Sequence, residues 1–320
     1  MLSTTTDAIE YRRTFREYYL QSIAPILEKY EPQRKIKQIQ QAVAVVISVP
    51  LCAASLLVPL LYSMIAGDAE PPLPFNILLH PLFLVVLGVS GVVWAVFLGR
   101  NFENLVKKAM MPLFLSFFGD FIWKSKEKIP KDEFQKSMLI GDFTTHKADD
   151  YFEGTYRDST FVLSECGMLN GGGKYQWPVF GGIFVKIDLH KNVISKTIIA
   201  EKSVAGKILQ PIYTLPHVNL EDPEFEKMFD VYSQDQVGAR YLLNPAFIER
   251  FKQLKDVFKA KYIRASFVDN SFYIAIQREK DTFKLADLRK PITDSNQMQE
   301  FFEQFVAILS IIDILKLNLK

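Results

Sequence analysis

The sequence predicts an α+β protein: a two-helix transmembrane hairpin plus a cytoplasmic domain with a mainly antiparallel sheet and packed helices. Three observations predict it. Thirty positions between Lys37 and Asp68, and twenty-nine between Glu70 and Arg100, carry no Asp, Glu, Lys or Arg. Beyond Lys124 the chain turns to short β-rich runs separated by turn residues. Between those runs stand capped helices with apolar residues at 3, 4 and 7 spacing.

Composition narrows the classes. Apolar residues make up 49%, with 26 Phe and 13 Tyr, which excludes disorder. The 38 Lys+Arg against 36 Asp+Glu leave a formal charge of +2, without the basic footprint of a nucleic-acid binder. Cys52 and Cys166 stand too far apart for a CxxC metal site, and two cysteines make no disulfide scaffold.

Residues 1–41 read as a cytoplasmic N-terminal helix. Asp7 and Glu10 form its start, and Tyr11, Phe15, Tyr18 and Tyr19 give it an aromatic side beside Arg12, Arg13 and Arg16. Two sites for this helix remain open: an anionic leaflet or the soluble domain.

Residues 42–99 form the hairpin, with spans 42–66 and 75–99. Each exceeds the roughly 20 apolar residues that a bilayer core requires. Pro50, Pro59 and Pro81 lie in or beside them, and Ser48, Ser55 and Ser63 are candidates to satisfy the freed carbonyls. The connector Gly67–Pro74 holds Asp68 and Glu70 and no basic residue. Arg34, Lys35 and Lys37 precede the first span, and Arg100, Lys107 and Lys108 follow the second. The positive-inside rule then places both termini in the cytoplasm. Gly88, Gly91, Ala95 and Gly99 form a small-residue stripe that packs on the first span or on a second copy; the short hairpin favours the first. His80 sits at the outer end, where an imidazole meets headgroups and water.

Residues 100–132 form a juxtamembrane apolar bridge, with Ala109–Trp123 almost wholly apolar and too short to cross. Residues 133–320 form the cytoplasmic α+β domain. Asp149–Arg157 and Thr160–Glu165 read as strands, with Asp149-Asp150 a solvated turn. Gln176–Leu189 reads as a long strand bent at Gly181-Gly182, followed by a turn at His190–Asn192 and a strand over Val193–Ala200. Leu220–Phe229 starts a short helix. Asn244-Pro245 opens another, running to about Lys261. Tyr262–Val268 and Ser271–Gln277 flank the hairpin signal Asp269-Asn270. A helix from about Ser295 to Leu317 closes the chain. Its apolar side is expected to be covered by the sheet, making a fragment from about Glu133 self-sufficient.

No motif supplies chemistry. Asn170–Lys174 lacks the earlier Gly and the following hydroxyl of a Walker loop, and reads as a hairpin turn. The four histidines are scattered, no nucleophile elbow occurs, and Cys166 reads as a reduced structural thiol. The reading is therefore no catalytic residue, no metal and no cofactor.

The run Leu220–Tyr232 (LEDPEFEKMFDVY) and the run Gln236–Pro245 (QVGARYLLNP) resemble the signature of a bacterial family called domain of unknown function 3137. Asp150–Gly154, Phe180–Phe184 and the two spans fit the same family in order. The resemblance implies a multi-pass bacterial inner-membrane protein, with a LemA-type membrane protein as a possible partner. It brings no catalytic residues. Within the signature, Glu221, Asp222, Glu224, Arg240 and Asn244 are the candidate binding or structural residues. A partly buried Arg240 paired with one of those carboxylates would staple the segment. The functional expectation is a membrane-anchored, non-enzymatic module whose cytoplasmic domain binds a protein, with homo-oligomerisation open and no nucleic acid. The alternative is a membrane-associated hydrolase or lipid-modifying enzyme whose groups converge only in three dimensions.

Overall fold

A computed structural model of the chain describes residues 5–66, 80–189, 196–202, 215–279, 282–293 and 296–318. The connector Gly67–Pro74, the start of the second span from Phe75 to Leu79, the turn at His190–Asn192 and the predicted helix start Ser295 lie outside them. The chain divides into two units. One holds residues 19–110 and 284–295; the other holds 1–18, 111–283 and 296–320.

Two long helices dominate the first unit. Helix α1 (Thr5–Tyr18) passes through a π turn at Tyr19–Ile23 into α2 (Ala24–Ala66), and α3 runs Pro81–Ser116. A Cβ on Gly88 would overlap Cys52 Sγ, and one on Gly91 would overlap Ser48 Oγ, so glycine is what lets α2 and α3 touch here. Gln41 Nε2 donates to the Ala95 carbonyl at 2.9 Å in the same seam. The outward surfaces are apolar: Val46, Leu56, Leu57 and Met64 on α2, and Leu82, Val86, Val93 and Phe97 on α3, are exposed. Ser55 and Ser63 do not serve the carbonyls freed by Pro50 and Pro59, which belong to Val46 and Ser55. Their hydroxyls donate instead to Cys52 O and Leu60 O, three residues back. On the N-terminal part of α2, Arg34 holds Glu31 at 2.7 Å, and the Ile292 N–H donates to Glu31 at 3.1 Å.

The second unit is a mixed α+β body around an antiparallel sheet. Among the described residues the strands are β1 (Phe121–Ser125), β2 (Thr145–Tyr156), β3 (Ser159–Gly172), β4 (Tyr175–Asp188), β5 (Thr197–Glu201), β6 (His217–Val218), β7 (Phe229–Ser233), β8 (Tyr262–Val268) and β9 (Ser271–Gln277). They lie in the order β1-β2-β3-β4-β9-β8-β5-β7-β6. The expected hairpins are present: β3 and β4 turn at Gly173-Lys174, and β8 and β9 at Asp269-Asn270. Gly182 bends β4 at φ 144°, where a Cβ would overlap the Ile276 carbonyl oxygen. Short helices α4 (Lys131–Ser137), α5 (Pro223–Met228) and α6 (Gln236–Leu242) join α7 (Pro245–Val257) and α8 (Asn296–Asn318) around the sheet. Helix α7 stops at Val257, one turn short of the expected end.

Two further expectations change. Asp150 is no solvated turn: it is 1% exposed within β2 and accepts the Trp123 indole N–H at 2.7 Å. The sheet alone does not cover α8. Phe301 stacks on Phe114 at 4.2 Å, Phe302 on Phe15 at 4.0 Å, and Phe305 meets Phe118 at 4.7 Å as well as Phe152 and Phe161. A helix apolar round most of its circumference needs cover on more than one side. The former bridge and α1 supply it. The open question about α1 is answered within this unit, since Tyr11, Phe15 and Tyr18 all pack on Phe117.

Candidate functional site

The signature segment folds as three consecutive capped helices. Asp222 Oδ1 accepts the Glu224 and Phe225 N–H groups at 2.9 Å each, opening α5. Asp235 Oδ1 accepts from Val237 and Gly238 at 3.0 Å each, opening α6. Asn244 Oδ1 accepts from Phe247 at 3.0 Å, opening α7 with Pro245 in its first turn. Each cap satisfies donors that a helix start leaves unpaired. The spacing of Asp222, Asp235 and Asn244 therefore records where helices begin.

Arg240 does not pair with a carboxylate among the described residues. It is exposed, and its Nε donates to the Asn219 carbonyl at 3.1 Å while Nη2 meets Gln236 Oε1 at 3.3 Å. Gln236 in turn donates to the His217 carbonyl at 2.8 Å. The staple exists, but it clamps backbone. The carboxylates turn elsewhere: Lys252 on α7 stands 3.9 Å from Asp222 and 3.5 Å from Glu224, and Glu221 is exposed. Phe225 of α5 packs on Phe251 of α7 with ring centroids 6.2 Å apart, which brings Asp222 and Glu224 towards Lys252.

Residues 178–317 match the model of a family described as "Protein of unknown function (DUF3137)". That segment is similar to this family. No curated protein matches the chain. Among solved structures, the crystal structure of the mycobacterial trehalose monomycolate transport factor A, TtfA, is similar at 11% identity and a TM-score of 0.38. The likeness covers 62% of this chain and 89% of that one. At that level it carries no argument about this chain.

The DUF3137 segment also contains the arginine that sequence reasoning missed. Arg264, at the centre of β8, is fully buried, and its Nε, Nη1 and Nη2 have no hydrogen-bond partner. Burial brings its pKa down to about 10, against the attraction of Glu201, so it is charged at neutral pH. Breaking a buried pair so that one charge stands uncompensated costs about 3–5 kcal/mol. The only sequence signal was a lone arginine in the β-rich run Tyr262–Val268, which a half-exposed strand would equally tolerate.

A cleft of about 440 Å³ lies at the β3–β4 bend, lined by Lys147, Asp149, Glu165, Cys166, Gly182 and Arg278. Both Glu165 oxygens face the Thr282 N–H, at 2.9 and 3.2 Å. Burial first, then the Glu165 charge, push the Cys166 thiol well above its ordinary range, so the sulfur is held protonated. Such a thiol is a poor nucleophile. Among the described residues, no three His, Cys, Asp or Glu side chains gather to hold a metal ion. The stripe residues Gly88, Gly91 and Ala95 all face α2, and Gly99 lies near Gln41 of the same helix.

Proposed function

We propose that this chain is a membrane-anchored module of the bacterial inner membrane, with both termini cytoplasmic, whose sheet-bearing unit binds a protein partner and does not catalyse a reaction. One observation carries the anchoring. Of the most apolar stretches of the two long helices, only 17% and 22% is buried, which supports a lipid-facing surface over burial in a soluble core. Their outward faces are Val, Leu, Met and Phe, while Ser48, Cys52 and Gln41 sit in the seam between them. That arrangement suits lipid as solvent, where polar groups turn inward and small residues bring helices together. With the stripe occupied by α2, self-association through it is not part of this reading.

Partner binding is placed on the signature. Val237 and Tyr241, one turn apart on α6, are 76% and 62% exposed, and Met228 of α5 is also exposed. Large apolar side chains displayed together mark contact surfaces. A LemA-type membrane protein is the partner class that the family resemblance implies. The test is site-specific photo-crosslinking from position 241 in native membranes after alkaline washing. The expected result is that the chain stays with the bilayer and forms one dominant adduct that Val237→Asp abolishes. Release into the wash contradicts the anchor, and an unchanged adduct contradicts the surface.

A further inference from the structure

We infer that the face of the sheet carrying Arg264 is a binding site for an oxyanion, a carboxylate or phosphoryl group that the guanidinium grips. Arg264 stands in register with Ala200 of β5 on one side and Ala275 of β9 on the other, so all three side chains share a face. Two alanine methyls beside an arginine leave the guanidinium flanked by the smallest side chains this row can carry without glycine. The Phe180 ring lies 5.9 Å from its central carbon, and Ile198, Leu215 and Phe184 belong to the same apolar cluster as the alanines.

No described acid on this face answers the charge. Glu201 follows Ala200 and so points to the opposite face, where Lys255 Nζ and the Ile263 N–H already hold its two oxygens at 2.8 Å each. Asp230, in register with Ala200 on the far side from Arg264, is taken by His217 at 3.5 Å and Lys202 at 3.6 Å. Ser266, two residues along β8, donates its hydroxyl to the Ser137 carbonyl. Further along the same face Lys186, in register with Tyr273, holds Glu133 at 3.2 Å and Asp188 at 3.4 Å, so these described acids are each paired with another cation while the Arg264 guanidinium has no hydrogen-bond partner. A guanidinium presents a fixed fork of donors that two oxygens of one anion match, and burial makes that match strong. Because the group is sealed from solvent, uptake follows local opening of the cover.

The experiment follows the thermal midpoint of the full chain in detergent, incubated to constant signal with inorganic phosphate or octanoate against chloride at equal ionic strength. A saturable rise is expected with at least one of the two probes in the wild type, and none in Arg264→Met. The two probes separate a phosphoryl from a carboxylate ligand. Ala275→Val, which narrows the space beside the guanidinium, is expected to weaken the probe at least tenfold and serves if Arg264→Met does not fold. No saturable rise with either probe, or an equal rise in the variants, overturns the site.

Discussion

Arg12 grips Glu303 through two parallel hydrogen bonds, Nε to Oε1 at 2.7 Å and Nη2 to Oε2 at 2.8 Å, across 291 positions of sequence. This contact fixes α1 against α8 and turns the aromatic side of α1 towards Phe302. The Arg12 side chain is 54% exposed, so the pair is screened by solvent, and its weight lies in orientation more than in energy. The stacked rings of Phe15 and Phe302 carry the burial.

The first prediction separates those two contributions. Phe15→Ala removes a side chain that is 6% exposed and is expected to cost about 3 kcal/mol in denaturant unfolding of the full chain. Arg12→Ala is expected to cost less than about 1 kcal/mol. A larger loss from Arg12 than from Phe15 would show that the ion pair holds α1 in place.

Removing the first 132 residues should expose the α8 rings that lean on Phe114 and Phe118. The fragment 133–320 is therefore expected to aggregate, with detergent relieving the aggregation. A cooperative monomer by sedimentation and calorimetry would show that the sheet covers α8 by itself.

The caps set the third prediction. Asp222→Ala, Asp235→Ala and Asn244→Ala are each expected to lower stability by about 1 kcal/mol, and Asn244→Asp to leave it nearly unchanged. Arg240→Ala, which loses exposed contacts to backbone, is expected to cost no more than a single cap. A loss of about 3 kcal/mol or more at Arg240 would restore the buried-pair reading of that residue.

His146 gives a pH dependence with a definite sign. Its ring packs on Phe134 at 5.0 Å and Phe143 at 6.0 Å, and burial, with the nearby Lys128 charge, lowers its pKa from 6.5. The folded state therefore binds the proton less readily than the unfolded state does. Its contribution is fully present above pH 6.5 and is lost as the pH falls below that value. Titrating the thermal midpoint from about pH 7.5 to 5 should show a decline that His146→Phe flattens. An unchanged slope in the variant would remove His146 as its source.

Much of the fold was legible because its signals are local. Charge-free runs, Asn244-Pro245, Asp269-Asn270 and the bend at Gly181-Gly182 each specify backbone within a few residues, and the helices and hairpins follow. The neighbours of α8 were not legible, because a helix apolar on most sides says that it needs cover without naming what covers it. Arg240 and Arg264 show the same limit at the candidate site. Both are lone arginines among apolar residues, yet one lies exposed over residues 217–219 and the other is buried on a face of the sheet. Only the pairing of β8 between β5 and β9, which is set in part by contacts more than sixty residues apart, decides that.

The central claim is that two helices with lipid-facing surfaces cross a membrane and leave the sheet-bearing unit inside. In a chain with Cys52→Ala and Cys166→Ala, single cysteines are introduced as Ala69→Cys, in the connector between the spans, and as Tyr175→Cys, at a hairpin position 84% exposed. Intact cells are treated with a membrane-impermeant maleimide and then lysed and treated again. The account predicts labelling of the Ala69 variant before lysis and of the Tyr175 variant only after it; labelling of the Tyr175 variant in intact cells would contradict the account.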